Sequence, residues 1–73
     1  MTSDQMKAFI RDGFQYMFAL KTADALRYNH GYSHGQIGLA SSAMLISSDE
    51  AQTLFDESDE IYKKAFDSLQ HRV

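Results

Sequence analysis

His30 and His34 are the side chains best equipped to do chemistry in this chain. Imidazoles four residues apart on a helix point the same way and can share a metal ion. Asp24 would serve as a third, oxygen ligand. Against this, Gly31 lies between the two histidines, and Asn29-His30-Gly31-Tyr32-Ser33-His34-Gly35 has the composition of a helix stop and turn. No cysteine is present and no HExxH context exists. The two histidines are therefore expected as partly exposed turn or cap residues. A metal or small-ligand site around Asp24, His30 and His34 is kept as an alternative.

Other chemistries are carried less well. Acid–base or nucleophilic catalysis needs a convergent set of groups in a sheltered pocket. Asp24, Tyr28, His30, Tyr32 and His34 have the right types but no recognisable order. No catalytic residue, cofactor or metal ligand is assigned, and a non-enzymatic protein is expected. The run Asp56-Glu57-Ser58-Asp59-Glu60 lacks the alternating oxygens, the glycine and the closing glutamate of a calcium loop, so it reads as a solvated helix face. Ser47-Ser48 is about the right length for the turn of a helix-turn-helix. The helix that follows begins Asp49-Glu50, and acids there would repel phosphate.

Composition sets outer limits. At 73 residues the chain is one domain, 1–73, with a core too small to supply much stability alone. Without cysteine it has no disulfide or thiolate metal site to add, which leaves a partner subunit as the natural supplement. The net charge of -3 disfavours nucleic acid as a partner. A regulator using Lys7, Arg11 and Lys21 on the basic side of the first helix is the rival reading. No stretch is apolar for the roughly 18 residues of a membrane span. Met1-Thr2-Ser3-Asp4 lacks the basic and apolar regions of a signal peptide, so a cytoplasmic protein without membrane contact is expected.

The elements that position these residues read as an all-α, three-helix unit spanning about 3–30, 33–46 and 48–71. Thr2 with Gln5 has the form of a capping box, and five of the nine aromatics lie between Met6 and Tyr28. Met6, Phe9, Ile10, Gly13, Tyr16, Met17 and Leu20 share one face of a continuous first helix. Asp24 then projects into that apolar face, while Phe18 and Leu26 fall on the polar side. In the second segment Ile37, Ala40, Met44 and Leu45 mark one side, and Leu39, Ala43 and Ile46 the other. No charged residue occurs from Gly35 to Ser48, so this helix should be covered on both sides. Ser47 with Glu50 predicts a second capping box. Ala51, Leu54, Phe55, Ser58, Ile61, Tyr62, Ala65, Phe66 and Leu69 then form one stripe on the third helix.

The surplus of apolar residues on second faces predicts self-association. The expected product is a homodimeric helical bundle joined through helices one and two, with Phe14, Phe18, Leu26, Leu39, Ala43 and Ile46 at the interface. The expected function is that of a small regulatory or accessory protein that docks on itself and on a further protein partner.

Overall fold

Both predicted capping boxes form, and they set where two of the helices begin. The Thr2 hydroxyl accepts from the Gln5 N–H at 3.1 Å, and Gln5 Oε1 accepts from the Thr2 N–H at 2.9 Å. Ser47 and Glu50 repeat the exchange at 3.0 and 2.8 Å. Each pair satisfies two backbone donors that a helix start would otherwise leave open. In the computed structural model, which describes residues 1–71, these boxes open α1 (Ser3–Phe14) and α3 (Ser48–Gln70). Between them lie a 3-10 segment (Gln15–Ala19) and α2 (Ala23–Ser42). The architecture is the all-α, three-helix unit expected, but the first two boundaries differ.

The continuous helix to residue 30 is a correction. The chain leaves the α-helix after Phe14, tightens into the 3-10 segment, and is extended at Leu20. Thr22 then caps a new helix, its hydroxyl accepting from the Ala25 N–H at 3.1 Å. Asp24 sits in that helix's first turn, where a negative charge suits the dipole. The break re-phases the residues that a continuous helix had misplaced. Asp24 is 95% exposed and pairs with Arg27 at 3.3 Å, while Leu26 turns inward.

The turn expected over 29–35 is the second correction, because α2 runs straight through it. Gly31, Gly35 and Gly38 are all helical, and a Cβ at any of them would meet nothing within 4 Å. α2 also stops earlier than Ile46. Leu45 N–H donates to Ala40 O at 2.9 Å and Met44 N–H to Ser41 O at 3.0 Å. That pair of bonds is the Schellman ending, which places Met44 in the left-handed region at φ 60. Glycine normally fills this position, so no sequence signal marked the stop.

The short link from α2 to α3 makes them antiparallel neighbours, and ring contacts such as His34–Phe55 and His30–Tyr62 run along their seam. α1 lies beside the start of α3. Lys7 bonds Glu50 at 2.6 Å and Arg11 grips Glu57 with two bonds of 2.8 and 2.9 Å. The core is Ile10, Phe14, Met17, Leu26, Ile37, Ala40, Ile46, Ala51, Leu54 and Ala65. Ser33 and Ser58 are buried beside it. On α3 the predicted stripe faces inward, from Ala51 to Leu69.

Candidate functional site

Because α2 is helical through Gly31, His30 and His34 share one face of it. That face looks onto α3, where Asp59 stands opposite both rings. Each histidine Nε2 lies 2.8 Å from the same oxygen, Asp59 Oδ1. An ionised carboxylate only accepts, so both rings donate Nε2–H to it. The His30 hydrogen bond, reinforced by His34, holds the Asp59 carboxyl below its usual range, against the opposing effect of partial burial.

Aromatic neighbours hold the two rings. His30 stacks on Tyr62 with centroids 4.3 Å apart and planes 23° from parallel. His34 leans on Phe55 at 4.9 Å, and the two imidazoles meet edge to face at 4.5 Å. An open dish of about 500 Å³ adjoins them, lined by His30, Asp59, Tyr62, Lys63, Phe66 and Asp67. The cluster is partly exposed, so small solutes can reach it.

The pairing of His30 with His34 thus exists, but Asp24 is not its third member. Asp24 lies at the solvent-facing start of α2, paired with Arg27. Asp59 was missed because it belongs to the acidic run that reads as a solvated face. Its signal was available in one form only: antiparallel pairing of two long helices brings the residue near position 59 opposite 30 and 34.

The expected interface residues divide. Phe14, Leu26 and Ile46 are 1%, 1% and 5% exposed, inside the single chain, and have no surface to offer a second copy. The re-phased α2 turns Leu26 into the core, Ile46 enters it from the link beyond the end of α2, and Phe14 enters it from the last turn of α1. Leu39 is 72% exposed, and Phe18 and Ala43 are also at the surface. Phe9 and Tyr16, expected in the core face of the first helix, are exposed as well. With Tyr32 they line a groove of about 340 Å³ between α1 and α2, together with Asn29 and Gln36. The Asn29 side-chain oxygen is buried there without a hydrogen-bond partner. A smaller depression continues the groove past Phe9 and Gln36 to Leu39 and Leu45.

Two cations of the rival reading, Lys7 and Arg11, are engaged within the chain, while Lys21 is exposed. Glu50 raises the Lys7 pKa and Glu57 raises that of Arg11 through direct hydrogen bonds. Lys7, and to a lesser degree Ser47 and Ser3, hold Glu50 down at about 2. No helix among the described residues is long and apolar enough to cross a membrane. In comparisons with known proteins, no family model matches the chain, and no curated protein or solved structure shows significant similarity to it.

Proposed function

We propose that this is a small, non-enzymatic accessory protein of the cytoplasm that works as a homodimer and binds another protein. The observation that supports it is a line on the outer side of α2. Tyr28, Tyr32, Gly35 and Leu39 follow one another at steps of four, three and four, the spacing of a helix–helix seam. All four are exposed in the single chain. Exposed aromatic and aliphatic side chains in one contiguous row mark an interaction surface.

A second copy is the occupant that fits. Tyr32 and Leu39 lie three residues before and four after Gly35, where the absence of a side chain permits close approach. Two antiparallel α2 helices crossing there set Tyr32 against Leu39 of the partner subunit, and the same contact recurs by the two-fold. From Tyr28 to Ser48 the chain has no Asp, Glu, Lys or Arg, so two copies meet on this face without like-charge opposition. The acidic outer face of α3 would repel its own copy. The neighbouring groove beside Phe9 and Tyr16 would hold an apolar side chain of the protein target.

Sedimentation equilibrium tests the proposal. The expected mass is about twice 8.3 kDa at high concentration. Leu39→Asp or Tyr32→Asp should return the mass of one chain with the helical circular dichroism unchanged, since both side chains are exposed. A single-chain mass at every concentration, or dimers that survive both substitutions, would overturn it.

A further inference from the structure

The His30–Asp59–His34 cluster has a capacity independent of any dimer. We propose that it is a binding site for one divalent transition-metal ion, of which Zn²⁺ is the representative, held by His30 Nε2, His34 Nε2 and Asp59 Oδ1 across α2 and α3.

Geometry is the first argument. The three candidate ligand atoms all lie within 4.8 Å of one another, and both nitrogens are 2.8 Å from the oxygen. Tetrahedral metal–ligand bonds of about 2.0–2.2 Å place neighbouring ligands roughly 3.3–3.6 Å apart. An ion therefore fits after each nitrogen withdraws from the oxygen by roughly 0.5–0.8 Å and the two nitrogens settle at a like distance from each other. On binding, each Nε2–H proton leaves, to Nδ1 of its ring or to solvent. The freed lone pairs and the carboxylate oxygen then face the ion.

Chemistry of the donors is the second. Two imidazoles and one carboxylate suit zinc, nickel, cobalt or iron(II), and do not suit magnesium or calcium, which take oxygen ligands. The ligands come from two rigid helices, and Tyr62 and Phe55 pack against the rings, so the set is held before the ion arrives. The remaining coordination positions would be filled by water from the open side of the cluster.

An ion here would tie α2 to α3 in the folded state alone, so binding raises the unfolding temperature. The test uses chelator-stripped chain carrying no histidine tag. Calorimetric titration with Zn²⁺ should show one ion per chain. At about a hundred times the Kd, the unfolding midpoint should rise by about 10 °C or more. Mg²⁺ should do neither. His30→Ala, His34→Ala and Asp59→Asn should each weaken binding by more than about tenfold, since loss of even an outer-shell partner costs about that. His71→Ala should bind as the unaltered chain does. Zn²⁺ without heat or stabilisation, or with affinity that depends on His71 rather than on the three ligands, would overturn the proposal. If a variant loses its helical signal, the imidazole ¹⁵N resonances of the unaltered chain decide. Coordination shifts on two Nε2 atoms support the site; shifts on one ring or none refute it.

Discussion

The two long sides of α2 both carry apolar residues, Leu26, Ile37 and Ala40 inward and Tyr28, Tyr32 and Leu39 outward. Toward α3 it presents His30 and His34, polar rings stitched to Asp59. Toward solvent it presents Tyr28, Tyr32 and Leu39. An amphipathic helix ordinarily turns a polar face to solvent. In this chain the buried side holds Leu26, Ser33, Ile37 and Ala40, the His30 and His34 bonds close its edge, and the tyrosines and Leu39 are left outside. The inward side is finished within one chain and the outward side is not. This contrast is the reason we propose self-association on the outward side and metal binding at the edge of the inward one.

Truncation on the two kinds of surface should break the contrast most sharply. Phe14→Ala empties a side chain 1% exposed and should cost about 3–5 kcal/mol of unfolding free energy. Leu39→Ala should leave single-chain stability within about 0.5 kcal/mol, as surface substitutions do, and reduce association instead. Urea melts at a concentration low enough to keep the chains apart measure the first quantity, and sedimentation the second. Equal losses of stability would mean that Leu39 is not an outward residue.

Acid should separate the stitched contacts from the seam. Glu50 has a folded-state pKa of about 2 against an ordinary 4.5. Its contribution is therefore complete above about pH 4.5 and is lost as pH falls through about 2. Asp59 acts in the same direction, its carboxyl also being depressed. Melting temperature should fall between pH 4.5 and 2, less steeply in Glu50→Gln. The line on α2 has no carboxylate and adds nothing to this dependence. An unchanged slope in Glu50→Gln would show that the ion pair with Lys7 is not held in solution.

Backbone substitutions give the smallest effects and sharpen the account of α2 itself. Gly31→Ala should stabilise by about 1 kcal/mol, because the position is helical and open. Met44→Gly should gain a similar roughly 1 kcal/mol by removing a side chain from the left-handed position. Thermal melts of each variant measure both. A loss at Gly31 would return the segment to the turn that its composition suggests.

Much of the fold was legible where local signals agree. The Thr2 and Ser47 boxes and the α3 stripe combine capping, charge and periodicity, and all three point to one answer. The first half misled because its signals conflict. Without proline or glycine at Leu20–Thr22, the break is marked only by Thr22 as a cap and Asp24 in the turn that follows. Composition favours a stop at Gly31, yet packing against α3 overrides three weak glycines. The site was legible only in part for the same reason. His30 and His34 pair once the helix continues, but Asp59 comes from α3, and a contact across that sequence distance leaves no local mark.

The central claim is that the row on α2 meets its own copy, and an isotope-filtered nuclear Overhauser experiment on mixed labelled and unlabelled chains tests it most directly. Tyr32 and Leu39 are roughly 10 Å apart along one helix, too far for an intrachain signal. The account predicts cross-peaks between the Tyr32 ring of one chain and the Leu39 methyls of the other. Their absence at a concentration where the mass is that of a dimer would contradict it.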